Sequence, residues 1–394
     1  MPTQCAALNS AAVNVQLMTI EAALSGKREA LYQAALLDPH TSAELSIDDI
    51  IALCDDMLAE LHPSADEVLV DCRYGAIKHG TEFSMIKGTA AARGPWNSEL
   101  KLHERRAALE GDSDFIAVGN MVCGRVIEVG ASVVDLSIGE TVFGYSTFAR
   151  RTLLPRGRVW RLPRSVHWKS ALCLDPARFA LAALRDAGVR IGDSVAVFGL
   201  GAIGLITVQL AGLCGISPVI GIDPLAARRA AAEQMGADRC IDPSGPEGHD
   251  IGRRLKEFSG GRGVDAVIEL SGSVSALQAG LRGVAFGGAV VCAAFPAPYP
   301  AGLDFGAEAH MNRPHILFSR AASDPNREHP RWSGERIEAH CLRLITDGKL
   351  NGAAVIDRVV PYRALKAEYS RLMDDQSQAI KLGVDFTDIN GGET

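Results

Sequence analysis

The sequence lacks several things, and each absence narrows what the chain can be. Its nine cysteines (Cys5, Cys54, Cys72, Cys123, Cys173, Cys214, Cys240, Cys292 and Cys341) form no C-x-x-C pair and are odd in number. That argues against a paired disulfide framework and a cysteine-rich zinc site, and leaves most of them to be small buried apolar residues. The 40 Lys and Arg residues are scattered among 47 Asp and Glu, for a net charge of −7. Without a basic stripe to displace counterions, a nucleic-acid partner is not expected. No apolar run approaches the ~20 residues needed to cross a bilayer, and Met1–Ser10 carries no basic start followed by an apolar core. The expectation is a cytoplasmic protein with no membrane partner.

What is present is a chain of 394 residues, 47% hydrophobic and with 40 glycines, long enough for two domains and an appendage. Apolar spacing predicts helices over 13–24 and 29–37, closed by Gly26 and Pro39. A third runs from Ser46 to Leu61, opened by the S-x-x-D spacing of Ser46 and Asp49. From Glu67 the pattern turns to short β-rich segments: Val68–Val70, Met121–Val129 and Thr141–Phe143, punctuated by Gly130, Gly139 and Gly144. A small β-barrel or sandwich is expected there, with the polar stretch 87–113, which holds Trp96 and His103, as a surface loop with a short helix. After Pro163, strands and helices alternate: 195–198, 203–213, 219–222, 226–235, 266–270 and 289–292. Such alternation predicts a doubly wound parallel sheet, an α/β Rossmann fold. A helix over 336–346 and a β-like 354–360 are expected to rejoin the β-rich domain. The expected division is 1–62 (helical extension), 63–162 (β-rich), 163–324 (Rossmann) and 325–394 (return).

Gly199-Leu200-Gly201-Ala202-Ile203-Gly204 follows the strand 194–198 and opens an apolar helix, the context that gives a G-x-G-x-x-G pattern its meaning. Gly199 makes the tight turn, Gly201 lets backbone approach a pyrophosphate, and Gly204 lets helix and strand pack closely. The helix N-terminus faces the phosphates. Asp223 ends the next strand, where the pattern places the acid that accepts from the adenosine ribose hydroxyls. A 2′-phosphate beside it would meet repulsion of roughly 1–4 kcal/mol, so NAD is the expected cofactor. Arg228 and Arg229 lie just downstream; Arg228 is a candidate to soften that bias, and a solvated helix face is the plainer reading of both.

Together with Ile191-Gly192-Asp193-Ser194-Val195, Gly236-Ala237-Asp238, Val264-Asp265-Ala266-Val267 and Gly124–Gly130, these motifs resemble the medium-chain dehydrogenase/reductase superfamily, the zinc alcohol dehydrogenases and their relatives, over about 66–386. The resemblance implies a GroES-like catalytic domain, an inserted Rossmann domain and a cleft between them. Zinc members carry a cysteine in a C-G-T-D-like segment and a G-H-E pair. This chain reads Lys78-His79-Gly80-Thr81-Glu82 and Gly119-Asn120-Met121, with Asp175 or Cys173 near the third ligand position. A catalytic zinc wants three firm protein ligands, so no metal is expected. The hydroxyl proton then needs a side chain, and Lys78 or His79 could take it, with Thr81 aligned to the family's relay hydroxyl. Histidine titrates nearest neutrality, whereas a lysine serves only where burial or a neighbouring cation lowers its pKa. Asp175 either orients His79 or caps the helix starting at Pro176. Asn120 and Glu82 are candidate substrate contacts. The alternative is that Lys78 and His79 only face solvent on a loop.

A second resemblance lies in 15–61. Glu21-Ala22-Ala23-Leu24-Ser25-Gly26, Ala34–Pro39 and Leu45–Ile50 look like the C-terminal helices of family 4 glycoside hydrolases, which use NAD to oxidise a sugar transiently. It occupies the place where the superfamily normally has two β-strands. The function expected is an NAD-dependent, zinc-independent dehydrogenase acting on a sugar, polyol or glycoside hydroxyl. One alternative is an NAD(P)H-dependent quinone or enone reductase, which the 6% aromatic content supports little. Another is a non-catalytic dinucleotide-binding fusion. The resemblance also implies a homo-oligomer, dimer or tetramer, paired through the strand around 315–319. His329-Pro330-Arg331-Trp332 is a further unusual cluster that could close over a ligand or form a turn anchored by Trp332.

Overall fold

The computed structural model describes residues 61–86, 94, 96–104, 118–299, 301–323, 325–375, 377 and 379–387. The expected N-terminal helices, save Leu61, lie outside these residues, as do most of 87–113 and the question of the two missing strands.

The described strands run, in the first stretch of chain, β1 (Glu67–Ala76), β2 (Trp96–Asn97), β3 (Leu102–His103), β4 (Met121–Val129), β5 (Thr141–Tyr145), β6 (Arg151–Pro155) and β7 (Val159–Arg161). The middle stretch carries β8 (Val195–Phe198), β9 (Val219–Ile222), β10 (Arg239–Ile241), β11 (Val264–Glu269), β12 (Val284–Cys292) and β13 (His315–Phe318). Two more follow, β14 (Arg358–Pro361) and β15 (Leu382–Asp385). The chain divides into two compact units, Met1–Arg164 with Ile356–Thr394, and Ser165–Val355.

The first unit is built on a sheet ordered β14-β15-β1-β4-β5-β7. Strand β1 takes β6 along Glu67–Asp71, β15 along Tyr74–Ala76, and β4 along its other edge, all antiparallel. Alternation along these strands sends Val68, Val70, Val126, Val142, Leu154 and Val159 into one core. A second core gathers Ile77, Phe83, Phe148, Tyr369 and Phe386. In the polar stretch the described residues form a short hairpin, Trp96 opposite His103, and the short helix expected within 87–113 does not fall on them.

The second unit is a fully parallel sheet ordered β10-β9-β8-β11-β12-β13. Strands β8 and β9 are buried along their whole length, as parallel strands covered by helices must be. The order reverses between β8 and β11, the switch point where such sheets bind ligands. This unit extends past the expected limit of 324 because helix Gly334–Thr346 packs on helix Leu174–Ala187 through buried Ile337, Cys341 and Ile345. A 3.0 Å Arg178–Glu338 ion pair joins the two helices. Among the described residues no helix is long and apolar enough to cross a membrane. The seven described cysteines are free thiols.

Candidate active site

In the parallel unit, β8 ends in the glycine motif. Gly199 has φ +88°, and a Cβ there would stand 2.8 Å from the Ser271 backbone nitrogen. At Gly204 a Cβ would meet the Gly199 carbonyl oxygen at 2.0 Å, so the helix could not lie so close to the turn with any other residue. Gly201 is different. A Cβ there would find only the Arg228 guanidinium, at 4.0 Å, so its glycine leaves room for something the protein itself does not fill. Gly201 caps helix Ala202–Leu213 without a side-chain hydrogen bond, leaving the first-turn N–H groups around Ala202, Ile203 and Gly204 aimed at that space.

Asp223, 2% exposed, ties this turn to the next one. Its Oδ2 accepts from the Leu200 N–H and its Oδ1 from the Leu225 N–H, both at 2.8 Å. Arg228 approaches Oδ2 at 3.7 Å, and Arg229 donates to the Asp223 and Pro224 carbonyls and pairs with Asp242 at 2.9 Å. Both side chains are only 18% exposed, which corrects the expectation of a solvated face. Across the switch point, β11 ends in Glu269, a group the sequence reading missed. Its carboxylate accepts from the Ser271 N–H at 2.7 Å and the Gly272 N–H at 2.9 Å, folding the loop that touches Gly199. Burial raises its pKa, with the Ser271 bonds opposing. Asp175 lies in the same unit, 7% exposed, inside the first turn of helix Leu174–Ala187. That helix begins before Pro176, and the N-cap position belongs to Cys173.

In the β-rich unit, His79 opens helix His79–Ile86. Its Nδ1 lies 3.1 Å from the Ile380 carbonyl oxygen, and the Leu382 N–H points at its Nε2 at 3.4 Å. Both ring nitrogens therefore face main-chain groups, the Ile380 carbonyl oxygen and the Leu382 N–H. Its ring also rests on Phe83, with centroids 5.3 Å apart. Lys78 and Thr81 are half-buried beside it. Glu82, expected among the substrate contacts, is instead turned inward and 4% exposed. Its Oε1 accepts from the Lys78 N–H at 2.8 Å and the Gly119 N–H at 3.2 Å, and the Tyr369 hydroxyl donates to Oε2. Burial raises the Glu82 pKa, and the Tyr369 bond and the Lys381 charge work the other way. Lys381, 3% exposed, donates to the Ile77 carbonyl. Asn120 sits next to Gly119, and its Nδ2 is a buried donor with no partner among the described residues.

Tyr369 and the run Ile380–Leu382 escaped the sequence reading. The signal available was Lys381 itself, one charge inside the apolar Ala379-Ile380-Lys381-Leu382-Gly383-Val384.

Comparison with known proteins gives two family matches, a zinc-binding dehydrogenase at residues 202–328 and the family 4 glycosyl hydrolase C-terminal domain at 1–41. D-guloside 3-dehydrogenase of Escherichia coli K12 is 41% identical over 330 residues, 82% of this chain and 93% of that enzyme. An alpha-galactosidase of Bacillus subtilis is 66% identical over 59 residues, 15% of this chain and 14% of that one. Among solved structures, an Escherichia coli oxidoreductase/dehydrogenase of unknown specificity is 19% identical and shares the fold at a TM-score of 0.65, over 82% of this chain and 93% of that one. With the glycine turn and Asp223 set at the switch point of a parallel sheet, and a relative so similar over nearly all its length, the chain belongs to the medium-chain dehydrogenase/reductase superfamily.

Proposed function

We propose that the protein is an NAD-dependent, zinc-independent dehydrogenase that oxidises a secondary hydroxyl of a glycoside, sugar or polyol. The observation that carries this reading is the likeness to D-guloside 3-dehydrogenase over 93% of that enzyme. The preference for NAD rests on Asp223, a buried carboxylate at the end of β9 whose charge would repel the 2′-phosphate of NADP. The superfamily's zinc does not fit the side chains present. His79 spends both ring nitrogens on backbone, Asn120 is a poor donor to a metal, and Met121 is fully buried. Among the described residues no group of three His, Cys, Asp or Glu converges.

Bound NAD supplies the hydride acceptor. The chain's own work is to take the hydroxyl proton and hold the oxygen. Lys78 is the better candidate for the proton, because His79 is locked by Ile380 and Leu382 and is better suited to fix the loop that carries Lys78. Thr81 passes the proton onward. The unpartnered Asn120 amide donates to the substrate oxygen, which explains an otherwise costly buried donor. Incubation with NAD and D-gulosides, other glycosides or polyols, followed by absorbance of the reduced cofactor, tests the reading. Reduction with NAD and with none of it by NADP is expected for at least one of them, and silence across the panel overturns it.

The chain is also proposed to form a homo-oligomer through β13, the edge of the parallel sheet, where Phe318 is 78% and Ile316 37% exposed. Light scattering of Phe318→Asp should report a smaller species than the parent chain.

A further inference from the structure

The cluster His329-Pro330-Arg331-Trp332 is not absorbed by dehydrogenase chemistry. In the parallel unit it begins a pocket of about 360 Å³ lined by Trp332, Arg336, Ala339, His340 and Arg343, within the size range of small-molecule sites. The Arg185 guanidinium carbon lies 3.7 Å from the Trp332 ring centroid and that of Arg336 4.2 Å from it. Cation–ring contacts of this kind hold the indole and both guanidinium planes in place.

The charges do not balance. Glu328 serves two arginines, Arg185 at 2.8 Å and Arg331 at 2.6 Å. Glu338, on the same helix as Arg336, is taken by Arg178 at 3.0 Å. Arg336 donates to the Arg331 carbonyl, and Arg343 donates to His340 Nδ1 at 3.0 Å. Among the described residues neither Arg336 nor Arg343 has a carboxylate partner. Burial, and then Arg343, Arg185 and Arg336, hold the His340 pKa below its ordinary value, as expected where positive charge is unquenched.

We propose that this pocket binds a phosphate group, carried by a phosphomonoester of a small sugar. Two guanidiniums on one wall match the several oxygens of a dianion better than a single carboxylate does. The indole faces are taken by Arg185 and Arg336, and the space left over lies beside Ala339, whose small side chain leaves room for the ring that carries the phosphate. The inference does not depend on the dehydrogenase reading.

Isothermal titration of the full chain with glucose 6-phosphate, inorganic phosphate and glucose, each in the presence of saturating NADH, tests it. One equivalent of the phosphomonoester should bind, more tightly than phosphate, with glucose silent. In the double variant Arg336→Gln, Arg343→Gln affinity should fall by about tenfold or more, the loss of charged hydrogen bonds. Ala339→Phe, which fills the space and keeps every charge, should also block binding while NADH binding is retained. Equal affinity for phosphate and the monoester would support the phosphate site and identify free phosphate as its source. No binding, competition by NADH, or binding untouched by both variants would overturn the proposal.

Discussion

The two units carry their functional groups in opposite ways. In the parallel unit, what matters is mostly main chain: a left-handed Gly199, a Gly204 pressed on its carbonyl, an open Gly201 and N–H groups gathered by Asp223 and Glu269. In the β-rich unit it is side chains, and their partners come from far along the chain. His79 bonds Ile380, 301 residues away, and Glu82 bonds Tyr369, 287 residues away. Backbone sites are defined by sterics within a few residues. Side-chain sites are defined by whatever the fold brings to them.

The largest effect that would break this contrast is in turnover. Lys78→Met should lower kcat by about 10²–10⁴-fold, the usual worth of a positioned acid or base, with NADH affinity unchanged. His79→Gln should lose less. An equal fall in NADH binding, followed by cofactor fluorescence, would mean the units do not divide the work in this way.

Next is the pair of glycines. Gly204→Ala drives a Cβ into the Gly199 carbonyl and should cost about 3 kcal/mol of stability, read by thermal unfolding, together with NADH binding. Gly201→Ala meets no protein atom closer than 4.0 Å and should leave unfolding untouched while weakening NADH by about tenfold, since its space belongs to the cofactor. Unfolding changes of equal size would show that both glycines are structural.

A third test is Asp223→Ser. Leaving the Leu200 and Leu225 N–H groups unpaired should cost about 1–3 kcal/mol, and the ratio of NADPH to NADH affinity should rise.

The smallest effect is in acid. The Arg282 side chain, then the Arg253 N–H, hold the Asp250 carboxyl at about 2 instead of 3.8. A depressed carboxyl contributes stability above its unfolded pKa and loses it as pH falls through the folded value. Asp250→Asn should therefore flatten the stability profile between pH 3.8 and about 2, slightly, because the pair is substantially exposed.

These differences also explain what could be read in advance. Strands β4, β8 and β9 fell where alternation or apolar runs placed them, and Gly199, Gly204 and Asp223 occupy the positions their spacing implied. Glu82 could not be read in this way. Next to Thr81 it looked like a polar group for a substrate, and only Gly119 and Tyr369, from two distant segments, show that it is turned inward. Arg229 was misread for the same reason, since Asp242 reaches it from the turn after the following strand. The limit of the second unit moved because helix Gly334–Thr346 found its partner in Leu174–Ala187, a contact that amphipathic spacing alone does not specify.

Strand β1 has a consequence for the order in which the molecule is made. Its first half finds β6 within the same early stretch of chain, but Tyr74–Ala76 must wait for Gly383–Asp385. On the ribosome the whole of Ser165–Val355 is therefore synthesised before β1 has its last neighbour. The clasp of Ile380 and Leu382 on His79 arrives with that same strand, so the loop bearing Lys78 is set among the last events of synthesis.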